Sequence, residues 1–213
     1  GGAVTTSGAA GVNVTNDAIA LNASIVATTG TVDLTADTNA VTIAAAGDIT
    51  ADGIVNLTGA TGINTAGDVT TSGFGVNYNS ATVLTGDVLV DTGAGAGTIT
   101  FVGTLDDDGG GNNLTLTAGT GNIDFDGVVG ATRLGDVLVN SVATMTADQA
   151  FNAASFEQTA GSVATTFTGA LDTTGAVTIT DGTDVMFGST VNATTVSQVT
   201  GSGTTTFNGA VTT

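Results

Sequence analysis

Short runs in which apolar and small polar residues alternate recur along the whole chain. Val32-Asp33-Leu34-Thr35, Val41-Thr42-Ile43, Leu114-Thr115-Leu116-Thr117 and Val177-Thr178-Ile179-Thr180 each place apolar side chains on one side and Thr or Asp on the other. Alternation with a period of two marks a half-buried strand. Gly, Asn and Asp fall between the runs, where tight turns are expected. The pattern predicts short strands throughout.

The runs themselves repeat. Phe167-Thr168-Gly169-Ala170-Leu171 is matched 40 residues later by Phe207-Asn208-Gly209-Ala210-Val211, and Phe187 lies midway. Gln158-Thr159-Ala160-Gly161-Ser162 aligns at the same offset with Gln198-Val199-Thr200-Gly201-Ser202. Earlier copies of the Phe motif begin at Phe101 and Phe125. In the first half Gly47-Asp48-Ile49-Thr50 returns as Gly67-Asp68-Val69-Thr70, then as Gly86-Asp87-Val88 and Gly135-Asp136-Val137. A period near 20 is too short for a module and suits one coil of a solenoid. The expected fold is all-β, a parallel β-helix of about 20 residues per coil and about 10 coils, each rising about 4.8 Å. The alternative is a string of antiparallel β-sandwich modules, which would show a period near ~80 to 100 residues. One solenoid domain is expected over 1–213, with a projecting loop at 105–113 and irregular coils at 140–160, where Phe151, Phe156 and Glu157 break the pattern. Phe101, Phe125, Phe167, Phe187 and Phe207 are expected to stack as an internal ladder rather than to form an exposed stripe for sugar.

Composition sharpens this reading. The chain has no Pro, so no coil loses a backbone donor, and no Cys, so no disulfide braces it. Only 9% of residues are charged although 41% are hydrophobic, which is not the make-up of a disordered segment. The net charge is −18, almost all from Asp; Arg133 is the only basic side chain and Glu157 the only Glu. One Arg cannot displace counterions from a phosphate backbone, so nucleic acid is not an expected partner. An anionic membrane surface is excluded on the same ground, and no apolar run approaches the roughly 20 residues of a membrane-spanning helix.

The run Leu114-Thr115-Leu116-Thr117-Ala118-Gly119-Thr120-Gly121-Asn122-Ile123-Asp124-Phe125-Asp126-Gly127, continued by Leu134-Gly135-Asp136-Val137-Leu138-Val139, resembles the β-strand repeats of filamentous-haemagglutinin-like adhesins and autotransporter passengers. The resemblance is one of repeat style and extends over most of the chain. It implies a right-handed parallel β-helix, export to the bacterial cell surface or beyond, and adhesion or fibre formation. No secretion domain or translocator barrel accompanies the repeats. The start, Gly2-Ala3-Val4-Thr5-Thr6, is repeated at the finish as Gly209-Ala210-Val211-Thr212-Thr213, and neither end carries a polar or helical cap. The expectation is that the last coil continues into further coils, either of a longer polypeptide or of another copy in a head-to-tail filament.

Candidate chemistry is sparse. Asp106, Asp107 and Asp108, followed by three Gly and by Asn112, offer oxygen ligands of the kind Ca²⁺ takes, but without the spacing of a known calcium loop. Asp48, Asp68 and Asp87 would stack at successive corners, so they must splay into solvent or hold a cation between them. About one residue in five is Thr, yet Thr-x-Thr triplets such as Thr98-Ile99-Thr100 do not recur at one coil position, as an ice-binding array would need. The five Asn-x-Ser/Thr sequons, at Asn13, Asn22, Asn56, Asn113 and Asn192, are expected by chance in so Thr-rich a chain. There is no His, Cys or Lys for acid–base or nucleophilic work, and the chain is not expected to be an enzyme. The expected function is structural, as a fibre, surface layer or adhesin stalk; the alternative is a module that binds a glycan, a host protein or ice.

Overall fold

Each coil lays down three short strands, and each strand pairs with its counterpart about 21 residues further on. The computed structural model describes residues 2–213, so Gly1 of the expected domain lies outside the described residues. Every strand pairing is parallel, and the pairings join all strands into one β-solenoid of about 10 turns. An antiparallel sandwich is thereby ruled out. Among the described residues no helix is long and apolar enough to cross a membrane.

Parallel registry turns the alternation of each strand into columns that run the length of the solenoid. On the first face Val4, Ile25, Ile49, Val69, Val90, Leu116, Val139, Gln158, Ile179 and Gln198 lie over one another. On the second face the column is Val14, Leu34, Leu57, Tyr78, Phe101, Phe125, Ala147, Phe167, Phe187 and Phe207. The third face stacks Ile19, Val41, Ile63, Thr82, Leu105, Val129, Phe151, Leu171, Val191 and Val211. Ten coils follow, numbered here from the N-terminus. The three columns face one another and form a single core.

The five Phe side chains singled out above share the second-face column, and Tyr78 extends it. Tyr78, Phe101 and Phe125 stack nearly flat, with centroids 4.6 and 5.3 Å apart. Phe167, Phe187 and Phe207 do the same at 5.7 and 4.8 Å. Between the two stacks the column holds only Ala147. The space is filled from the third face by Phe151, which lies edge-on to Phe125 at 5.5 Å and to Phe167 at 5.4 Å. Phe156 packs edge-on to both Phe151 and Phe167. A small residue on one face is thus matched by a large one on another, as close packing demands.

Two irregular stretches depart from the expected boundaries. Leu105–Asp107 is a strand, so the loop is shorter than 105–113, and Asp107 occupies an inward position in register with Leu84. Residues 140–160 do not form separate short strands. They belong to the long strands Val129–Ala147 and Phe151–Gln158, which run around corners that elsewhere carry turns. Registry slips there between Val142 and Thr144, and earlier between Val129 and Leu134.

Tyr78 is fully buried and its hydroxyl has no hydrogen-bond partner. Burial, with a smaller contribution from the Asp68 charge, pushes its ionisation far above the usual tyrosine range. Replacing an unsatisfied buried hydroxyl with hydrogen removes a desolvation cost of about 1–3 kcal/mol. Tyr78→Phe is therefore expected to raise the denaturation midpoint, whereas Phe125→Ala, which removes the ring between Phe101 and Phe151, should cost about 3–5 kcal/mol. Denaturant unfolding of the two variants beside the parent checks both signs.

Candidate functional site

The corner between the third and first faces is where the acidic residues gather. A strand pairs through its N–H and carbonyl groups, but where the chain turns a corner these groups point off the ladder and need other partners. In coil 6 the strand bulges: Val129 and Leu134 pair with Phe151 and Ala153, so extra residues are looped out between them. Directly beneath lies the turn that follows Asp107 in coil 5. Together they line an open groove of about 500 Å³ that includes Asp107, Gly109, Gly111, Thr132, Arg133 and Asp136.

Within this corner each carboxylate answers backbone donors. Asp107 is only 4% exposed, and its side chain accepts hydrogen bonds from the N–H groups of Gly109, Gly111 and Asn112 at 2.8, 2.8 and 2.9 Å. The turn can wrap so tightly because Gly109 and Gly111 take φ of 100° and 74°, a region open to glycine. Burial works against the charge on Asp107, but these three donors and the Asn112 side-chain amide outweigh it and lower its pKa. Asp108 accepts from Gly110 N–H at 2.9 Å and from the Asn112 amide at 3.0 Å. Asp106 faces outward and accepts the bulge's Thr132 N–H at 3.0 Å. The three acids and Asn112 expected as calcium ligands are therefore placed near one another, but Asn112 turns its amide nitrogen, not its oxygen, toward both Asp107 and Asp108. Among the described residues no group of three acidic side chains is arranged to hold a metal ion.

The acids at this corner in other coils behave alike. Asp48 accepts Asp68 N–H at 3.0 Å, and Asp68 accepts Leu89 N–H at 2.8 Å. Asp87 is not the next member of that series: Val69 pairs with Val90, which sets Leu89 over Asp68. Asp87 instead begins a second series. It accepts Asn113 N–H at 2.8 Å, Asn113 Oδ1 accepts Asp136 N–H at 2.7 Å, and Asp136 accepts the Ser155 hydroxyl at 2.7 Å. The alternatives drawn from the sequence, splaying into solvent or sharing a cation, omitted this third arrangement, in which Asp48, Asp68 and Asp87 each accept a backbone N–H of the coil that follows.

Arg133 sits on the bulge and ties three coils together. Its Nη1 donates to the carbonyls of Ala153 at 2.9 Å and Asp172 at 2.6 Å, in coils 7 and 8. Its Nη2 pairs with the Asp172 carboxylate, which also accepts from Asn192 at 2.7 Å. The hydrogen bond from Arg133, then that from Asn192, lowers the pKa of Asp172. Arg133 was legible in the sequence only as the sole cation; its role appears once the bulge brings it beneath Asp172. A separate acidic cluster on the second face has no such relief. Burial first, then the charges of Asp126 and Asp148, raises the pKa of Asp124.

No protein-family model, curated protein or solved structure matches the chain. The groove at Arg133 is lined by polar backbone, carboxylates already bonded to the chain, and a guanidinium already committed to three acceptors.

These bonds set the acid response. Asp107 and Asp172 have lowered pKa values, so their contributions are present above the unfolded value near 3.8 and are lost as pH falls through their folded values. Asp124 has the opposite sign: its raised pKa favours the folded state below the unfolded value, and that advantage is lost as pH rises through its folded value. Asp107→Asn should cost about 1–3 kcal/mol at pH 7, shrinking toward zero in strong acid. Asp124→Asn should be neutral in strong acid and increasingly stabilising, relative to the parent, as pH rises above 3.8. Arg133→Ala should cost about 1–3 kcal/mol, because two carbonyls lose their donor. The half-exposed ion pair alone, tested by Asp172→Asn, is worth under about 1 kcal/mol. Denaturation midpoints measured across the acid range check all four.

Proposed function

We propose that the chain is a structural segment of an extracellular bacterial surface protein, a stiff stalk or fibre element. The observation that carries this reading is the continuity of three side-chain columns through all ten coils, with the backbone of each coil paired to the next. Such a stack resists bending because deformation strains many parallel hydrogen bonds at once. Its repeat style resembles that of filamentous-haemagglutinin-like adhesins and autotransporter passengers, which supports the surface location. The excess of Asp, giving −18 overall, makes neighbouring rods repel one another laterally and keeps them dispersed at moderate salt. This function needs no catalytic residue, cofactor or nucleic-acid partner.

The first and last coils turn apolar column members outward: Val4 is 46% exposed, Val14 37%, and Phe207 and Val211 each 44%. In the proposed role these surfaces are covered by further coils.

Ten coils at about 4.8 Å each give an axial length of about 48 Å. Small-angle scattering of the isolated chain should show a uniform cross-section and lengths that are multiples of this unit. An antibody against the chain should label intact source cells from outside. Labelling that appears only after the cells are lysed would overturn the surface role.

A further inference from the structure

Arg133 is the only Lys or Arg among 213 residues, so the chain offers one peptide bond, from Arg133 to Leu134, to endopeptidases that require a basic residue before the cut. A protease of the trypsin class draws that basic side chain into a pocket with a carboxylate at its base. The side chain must therefore be free before the bond can be cut.

The bond sits where a looped-out segment meets a buried strand. Val129 and Leu134 pair with Phe151 and Ala153, so residues 130–133 stand off the ladder opposite Asn152 alone. Ala131 and Thr132 are exposed, whereas Leu134 is buried. The segment is pinned from both sides. Thr132 N–H donates to Asp106 of coil 5 at 3.0 Å, and the Asn152 amide of coil 7 donates to the Gly130 carbonyl at 2.9 Å. These bonds leave the backbone of the segment at the surface. The side chain of Arg133 is what is withdrawn. Its guanidinium is spent on the carbonyls of Ala153 and Asp172 and on the Asp172 carboxylate, in coils 7 and 8. Held there, it has no freedom to enter a second acidic pocket.

We propose that the bond from Arg133 to Leu134 is a masked cleavage site for trypsin-class endopeptidases, locked by the clasp of Arg133 on coils 7 and 8. The proposal stands on this geometry and does not depend on where the rod is displayed. Hydrolysis breaks the C–N bond between the two residues. The protease nucleophile is first acylated by the Arg133 carbonyl carbon. Water then leaves its hydroxyl on that carbon and supplies the hydrogen gained by the Leu134 nitrogen. The cut separates coils 1–6 from coils 7–10. A solenoid coil contacts only its neighbours and opens locally. Parting coils 7 and 8 from the bulge thus frees Arg133 while the earlier coils stay stacked. A chain with this region closed passes the protease intact; one with it open is cut once.

Full-length protein is incubated with trypsin under native conditions and the products are read by mass spectrometry. The parent should stay intact over a time in which heat-unfolded chain yields fragments 1–133 and 134–213. Arg133→Lys keeps a bond that trypsin accepts, but a compact ammonium does not reproduce the planar fork that serves three acceptors. It should be cut about tenfold faster than the parent, the ratio that about 1.4 kcal/mol of lost clasp gives. Leu57→Ala opens a cavity in the core of coil 3, far from the clasp, and lowers global stability. It should leave the native cleavage rate unchanged. A parent cut as fast as unfolded chain would overturn the mask. An Arg133→Lys rate equal to the parent's would overturn the clasp as lock. Equal acceleration by Leu57→Ala and Arg133→Lys would assign the cut to global unfolding and overturn the local opening.

Discussion

Each coil of this molecule is stable only because the backbone groups of its neighbours satisfy its own. A parallel stack meets that constraint along the strands without side-chain help, and it tolerates no proline in the paired positions. At the corners the chain leaves the ladder, and the donors left over must be met by something else. Asp, Asn and Ser do this work at almost every irregular point: Asp107 gathers three N–H groups of its own turn, Asp106 takes one from the coil 6 bulge, and Asp48, Asp68 and Asp87 each take one from the coil above. The acidity of the chain follows in part from its need for short acceptors at turns.

The core answers to volume instead of pattern. The second-face column is aromatic at both ends of its second half but drops to Ala147 in between, where two Phe residues from the other faces fill the gap. The switch from stacked to edge-on rings marks the place. It coincides with the long strands Val129–Ala147 and Phe151–Gln158, where corners lose their turns. A change in side-chain size on one face and a change in backbone path on another are two parts of one local rearrangement.

The solenoid was legible in the sequence because its signal is repeated. Alternation names the strands, the recurrence of Phe and Gly-Asp gives the coil, and Phe167, Phe187 and Phe207 fall in one column because they are spaced by one coil each. What the sequence hid was registry where the coil length varies. Asp87 looks equivalent to Asp68 in its motif, yet a shift of two residues puts Leu89 in that place. Asp106 and Asp107 look like loop residues because charge usually means exposure, but buried N–H donors make an inward carboxylate tenable at position 107. Arg133 gave no local signal at all, since its acceptors lie about 20 and 40 residues away and meet it only through stacking.

The corner acids share a direction. Asp48, Asp68, Asp87, Asp106 and Asp184 each belong to an earlier coil and accept an N–H from the next one. A chain that emerges N-terminus first therefore lays coils 4, 5, 6 and 10 onto corners whose carboxylate acceptors are already in place. Emerging from the other end, a coil already laid down would hold these corner donors unanswered until the coil with the acceptors arrived.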